Sequence, residues 1–254
     1  MSGIPHELIV RLRDPDRNVR VQAALDVGAL NAPGAAGVLV EALAADPDFF
    51  VRETITWSIV RLGAAATPLL LDRLKDDSPS VRHDAVHALS KIGDPRALEA
   101  LVAILGDESS KVVCKAAFAL GQIGDTSAIP ALVGLLGRDD RELESALNAV
   151  LERFGAGAVQ PLVEALADAN WRTREQAADA LRGIGDPGAA PGLIPLLSDP
   201  CWQVRFAALN ALGRLGAPPE IFEAVRNDDD RRVRALAVRL RTGRAVAPPA
   251  TGSA

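Results

Sequence analysis

Tyrosine is absent from the 254 residues, and aromatic residues of all kinds amount to only 4%. An interior without large rings has to be filled by alanine, leucine and valine, a composition that favours closely packed helices. Cysteine is nearly as scarce. Cys114 and Cys201 cannot make a disulfide framework, which fits a reducing compartment. Basic residues do not exceed acidic ones: 28 against 33 leaves a formal charge of −5, so the chain has no global pull toward phosphate backbones or anionic membranes. No apolar run approaches the roughly 18 residues of a membrane span. The opening MSGIPHELIV lacks the basic start and long apolar core of a signal peptide, and a cytoplasmic protein is expected. Histidine is limited to His6, His83 and His87.

What is present is an internal repeat. Aligned on a Val-Arg pair, it reads VRVQAALDVGAL from residue 19, VRETITWSIVRLG from 51, VRHDAVHALSKIG from 81 and VVCKAAFALGQIG from 112. It continues as LESALNAVLERFG from 143, TREQAADALRGIG from 173, VRFAALNALGRLG from 204 and VRALAVRLRTG from 233. The starts are 32, 30, 31, 31, 30, 31 and 29 residues apart. Apolar positions fall at offsets 0, 4, 7, 8 and 11 from the first residue of each copy, the period of a helix with one buried face. Offset 12 is glycine at 63, 93, 124, 155, 185 and 216 and Asn31 in the first copy, residues that suit a left-handed helix end. A shorter apolar pattern such as PRALEALVAILGD, residues 95–107, follows the turn and often opens with proline. Each unit therefore predicts two antiparallel helices. Such a hairpin cannot bury its own apolar face, so the copies must stack on one another.

The pattern GDPRALEALVAILGDESSKVVCKAAFALGQIG, residues 93–124, resembles the HEAT repeats, especially the bacterial variety found in phycobilin lyases. The resemblance covers roughly residues 4–243 and implies an all-α fold, a right-handed α-solenoid of about eight HEAT-like helix hairpins. The expected repeats are 4–31, 32–63, 64–93, 94–124, 125–155, 156–185, 186–216 and 217–243. The end, 244–254, is rich in Pro, Ala and Gly without apolar period and is expected to be disordered.

Most copies also carry an Asp before the second helix and an Arg six residues later: Asp14 and Arg20, Asp46 and Arg52, Asp76 and Arg82, Asp168 and Arg174, Asp199 and Arg205, Asp228 and Arg234. In HEAT proteins such residues form a hydrogen-bonded ladder between layers, so these arginines read as structural. The fourth copy has Asp107 with Val113 and is expected to lack its rung; the fifth has the pair exchanged, Arg138 with Glu144.

The resemblance places the second helices on the inner, concave side, where extended partners usually bind. With offsets 0, 4, 7, 8 and 11 buried, offsets 2, 3, 6 and 10 are left to face outward. Offset 2 supplies Glu53, His83, Cys114, Glu175 and Phe206; offset 6 supplies Leu25, Trp57, His87, Phe118, Asp179 and Asn210; offset 3 of the third copy is Asp84. The line Leu25, Trp57, His87, Phe118 is apolar and aromatic in a chain poor in aromatics, which suggests a contact surface. Phe49, Phe50, Trp171 and Trp202, just before or at the start of second helices, are expected to cap the neighbouring layer instead. The partly basic offset 10 row, Arg61, Lys91, Arg153 and Arg214, is expected to complement helix dipoles, with a basic rim for an acidic partner as the alternative.

Chemistry has thinner support. HDAVH, residues 83–87, puts two imidazoles on one helix face as in the zinc motif HExxH, but two ligands and an acid fall short of a site. Deoxyhypusine hydroxylase, a HEAT family, uses repeated His-Glu dyads in both halves; this chain has only His6-Glu7 and His83-Asp84. Cys114 and His83 lack a glycine-rich turn for an oxyanion site. No catalytic residue, metal or cofactor is therefore expected, and the acidic balance disfavours nucleic acid. The expected function is a non-catalytic scaffold that grips a protein or peptide partner. The alternative is a phycobilin-lyase-like or other small-molecule-handling subunit built on Trp57, His83, His87 and Cys114.

Overall fold

A computed structural model describes residues 3–242, and the expected disordered tail lies outside them. The described residues form helices joined by short turns, with no strand among them. The described residues divide into two compact units, 3–128 and 129–242.

The first unit holds α1 (His6–Arg11), α2 (Arg17–Leu30), α3 (Ala35–Ala45), α4 (Phe49–Leu62), α5 (Thr67–Arg73), α6 (Pro79–Ile92), α7 (Leu98–Ala103) and α8 (Ser110–Ile123). The second holds α9 (Ile129–Val133), α10 (Arg141–Phe154), α11 (Ala156–Ala165), α12 (Trp171–Ile184), α13 (Ala190–Leu193), α14 (Trp202–Arg214), a 3₁₀ stretch Pro219–Val225 and α15 (Arg231–Thr242). No single helix among the described residues is long and apolar enough to cross a membrane.

The second helix of each hairpin starts and stops where the sequence provides for it. The side chains of Asp16, Asp48, Asp140 and Asn170 accept hydrogen bonds from free amides of the first turns of α2, α4, α10 and α12. At the other end, Asn31, Gly93, Gly124 and Gly185 adopt the left-handed conformation. Gly63 and Gly155 differ, with φ 61°, ψ −142° and φ 55°, ψ −130°, a region open essentially to glycine alone. Among these glycines, though not at Asn31, which Ala32 follows, the next residue separates the two classes. Asp follows Gly93, Gly124 and Gly185, whereas Ala follows Gly63 and Gly155, where the next helix begins at once.

Within each unit the second helices pack side by side, α2 on α4 on α6 on α8 and α10 on α12 on α14 on α15, each also resting on the first helix of its own hairpin. That makes the buried face wider than the repeat pattern predicts. In α6, Arg82, Val86 and Ser90 are buried together with Ala85, Ala88 and Leu89, while Val81 and Ile92 are only half-buried. A helix with neighbours on three sides buries more than one stripe. The neighbours approach closely where side chains are small: a Cβ added at Gly28 of α2 would lie 2.9 Å from the Cβ of Ser58 in α4.

The Asp and Arg residues are bonded both within a turn and between layers, and the carboxylate each arginine meets is not the one six residues before it. Arg20, Arg82, Arg174 and Arg205 donate one guanidinium nitrogen to the backbone carbonyls of Asp14, Asp76, Asp168 and Asp199 in their own turns. Their other nitrogens form two-pronged bonds with the carboxylates of the next copy: Asp46, Asp107, Asp199 and Asp228. Asp107 is therefore a rung after all, accepting from Arg82 at 2.7 and 2.9 Å. Among the described residues Arg234 holds only the carbonyls of its own turn, those of Asp228 and Asp229.

Two rungs depart from the rule. Arg52 bonds the carbonyls of Asp46 and Pro47, but its Nε sits 2.9 Å from Asp84, inside α6, rather than on Asp76. The exchanged pair in the fifth copy does not form: Glu144 lies instead near Asp179 and Arg141, and burial with the Asp179 charge holds its carboxyl above the usual range. That joint is tied by neutral groups of α12. Gln176 accepts from the amide of Gly137 at 2.7 Å, Thr173 donates to the carbonyl of Leu136, and Asn170 donates to that of Gly137.

Candidate partner-binding face

In the first unit, the helix row α2, α4, α6 and α8 leaves the offset 6 side chains outside. Trp57 is 55% exposed, Phe118 47% and Leu25 46%. The alanines and leucines of the same helices are buried, while these side chains keep about half of their surface in water. A cleft of 520 Å³ opens elsewhere in the unit, between α1 and α3, and includes none of these side chains.

Charge is arranged closely around the rings. The Lys91 ammonium lies 4.4 Å from the Trp57 ring centre and that of Lys115 lies 5.8 Å from the Phe118 ring centre, both in range for cation–π attraction. Lys91 therefore bends over the face and is more than a counter-charge to its helix end. Both lysines are half-buried, and neither takes part in an ion pair among the described residues.

His87 sits between these groups. Its Nε2 is 3.0 Å from the Glu53 carboxylate, while its Nδ1 is buried without a hydrogen-bond partner. Burial, and then the charge of Lys115, holds the imidazole below its ordinary range; Glu53 pulls the other way, and Lys91 and His83 add to the lowering. The neutral ring explains the contacts. An unprotonated Nδ1 leaves no buried donor unmet, and Nε2 stays at ion-pair distance from Glu53. His83 stacks on His87 at 6.4 Å with an angle of 11° between rings, and its Nδ1 is 3.2 Å from Asp84.

Of the expected face residues in this unit, Trp57 and Phe118 are exposed, and Glu53, His83, His87 and Cys114 are half-buried. Asp84 differs in role. Its carboxylate is committed to Arg52, so it belongs to the packing between α4 and α6. Among the described residues no group of three His, Cys, Asp or Glu side chains is placed to hold a metal ion. Of these two lysines the sequence pattern missed Lys115 and placed Lys91 in its outward offset 10 row. Lys91 lies at the helix end, where a dipole role sufficed to explain it, and Lys115 shares offset 3 with Asp84.

In the second unit Glu175, Asp179, Phe206 and Asn210 are all half-buried. Burial, then repulsion from Asp179 and Glu144, holds the Glu175 carboxyl above its usual range. Asp179 is 3.3 Å from Arg182. Phe206 borders a cleft with Arg232, Leu236 and Arg239.

The edge aromatics divide. Trp171 and Trp202 are half-buried, and the Arg232 guanidinium lies 3.3 Å from the Trp202 ring centre. Phe49 and Phe50 are 60% and 68% exposed, so they cap no neighbouring layer. Two successive positions at a helix start cannot both turn inward, and here the inward position is taken by Val51.

No curated protein matches the sequence. Among solved structures, importin beta superposes with a TM-score of 0.60 at 14% identity over 97% of this chain and 41% of that one. Kap95p, in a structure with RanGDP, gives 0.58 at 16% over 90% and 36%. The chain thus spans about two fifths of the length of these larger proteins. The CpcE and CpcF complex of phycocyanin lyase from Nostoc sp. gives 0.45 at 22%, covering 94% of each chain. A sequence profile of HEAT repeats matches residues 5–90, 67–152 and 159–240. With helix hairpins in each unit, the chain belongs to the HEAT-repeat family and has its all-α solenoid fold.

Proposed function

We propose that the protein is a non-catalytic scaffold that holds a protein segment against the face formed by α2, α4, α6 and α8, with Trp57, His87 and Phe118 as the anchoring side chains. The observation that supports this reading is the exposure of Trp57 and Phe118, 55% and 47%, on a row of otherwise well-buried helices. Large rings left in water where small residues would serve the packing are typical of binding hot spots. The flanking charges suit recognition of a peptide by apolar anchors with polar groups that fix its register. In the other unit, Glu175 and Asp179 offer carboxylates to a basic side chain. Cytoplasmic protein partners are the class this surface fits.

The test is replacement of Trp57, His87 and Phe118 by alanine in the full chain, followed by comparison of captured proteins with those of the wild type. The reading expects the variant to lose specific partners while its circular dichroism and melting profile are retained. A folded variant that captures an unchanged set refutes it.

A further inference from the structure

Resting on the proposed binding face, we infer that the segment it holds is acidic, carrying carboxylates beside its apolar anchors. The argument starts from the two lysines. Lys91 lies over Trp57 and Lys115 over Phe118, at 4.4 and 5.8 Å from the ring centres. Any apolar group that covers these rings also covers the ammonium groups beside them. Removing a charge from water without a counter-charge is costly, and against two lysines the face sets only the single carboxylate of Glu53. The Glu53 carboxylate lies 3.0 Å from the neutral His87, and that of Asp84 is paired with Arg52 and His83. The occupant has to bring the anions.

The His87 site points the same way. Lys115 and Lys91 both act on this imidazole and help hold it neutral, so their two positive charges fall on one part of the surface. A basic segment would add to that positive charge. A nucleic acid could stack on the rings and meet the lysines, but Glu53 stands on the same face beside His87, and the chain carries −5 overall. Both oppose a continuous phosphate backbone. A carboxylate can be placed at the lysines and kept away from Glu53, which a phosphate at every step cannot.

The experiment is selection of a random peptide library displayed on phage by the full-length chain, beside a binding assay with oligothymidylate. Selected peptides are expected to combine Trp, Phe or Leu with Asp or Glu. Changing either lysine to glutamine should weaken a selected peptide by about threefold, as for a partly exposed ion pair. The double change Lys91→Glu with Lys115→Glu should reverse the preference toward basic peptides. Salt should weaken wild-type binding. Selection of basic or uncharged peptides, no enrichment, or oligothymidylate binding tighter than any peptide would overturn the inference. The Trp57→Ala and Phe118→Ala variants separate the two levels. If they select the same peptides as the wild type, the face itself is misassigned; if they lose the selected peptides and the charge preference is absent, only the acidic occupant is wrong.

Discussion

His87 shows how one side chain on this face links structure to pH. Its ring is held neutral by burial and by Lys115, with Lys91 and His83 adding to the effect and Glu53 opposing it. The folded protein therefore binds this proton less readily than the unfolded chain, whose histidine titrates near pH 6.5. Protons then favour the unfolded state, so the contribution is nil at higher pH and stability falls as pH drops below about 6.5. Melting temperatures measured from about pH 7.5 to about pH 5.5 should decline in the wild type and decline less in His87→Gln. Equal slopes in the two proteins would refute the assignment. The position of His87 on the exposed stripe was legible from the repeat alone, because its offset is one the buried pattern leaves free. Its partners were not: they come from α4 and α8, and which long side chain bends over which ring depends on rotamers that spacing does not encode.

Among the helices, the periodic apolar positions and the glycine after each second helix set the element order, and both can be read directly from the chain. The breadth of the buried face cannot. The offsets 0, 4, 7, 8 and 11 describe one helix on one neighbour, whereas α6 touches α4, α5 and α8 together. Small residues at the additional contacts then become constraints. A Cβ added at Gly28 would lie 2.9 Å from the Cβ of Ser58 and 3.2 Å from its Cα. Alanine would gain up to about 1 kcal/mol of helix propensity, yet overpacking costs about 1–3 kcal/mol. Gly28→Ala should therefore lower the melting temperature by a few degrees. The double variant with Ser58→Gly should be less destabilised than the sum of the single ones. A neutral or stabilising Gly28→Ala would show that α2 and α4 lie further apart.

Across the molecule, the repeat makes each layer depend on its neighbours, and the arginine ladder is where that dependence is most visible. The sequence signal, an Asp and an Arg six residues apart, marks the ladder but not its wiring. An arginine of this length reaches its own turn with one nitrogen and the following layer with the others, so the carboxylate it meets belongs to the next copy. Asp107 accordingly serves as a rung although its own copy has Val113. Arg52 takes Asp84 instead, and the Gly137 turn is held by Asn170, Thr173 and Gln176, exceptions that depend on side chains one layer away. The wiring predicts an order of effects in the second unit. Arg205→Ala removes bonds to two layers, Arg234→Ala only bonds within its own turn. Thermal denaturation should show the larger loss for Arg205→Ala; an equal loss would mean that the inter-layer prong adds nothing.

The central claim is that Trp57 lies in the contact with a protein partner, and its own fluorescence reports this most directly. In a Trp171→Phe and Trp202→Phe background, Trp57 is the sole tryptophan of the chain. Adding a phage-selected peptide that itself lacks tryptophan should shift the emission to shorter wavelength and reduce quenching by acrylamide. An emission spectrum and quenching that stay unchanged while the peptide binds would contradict the account.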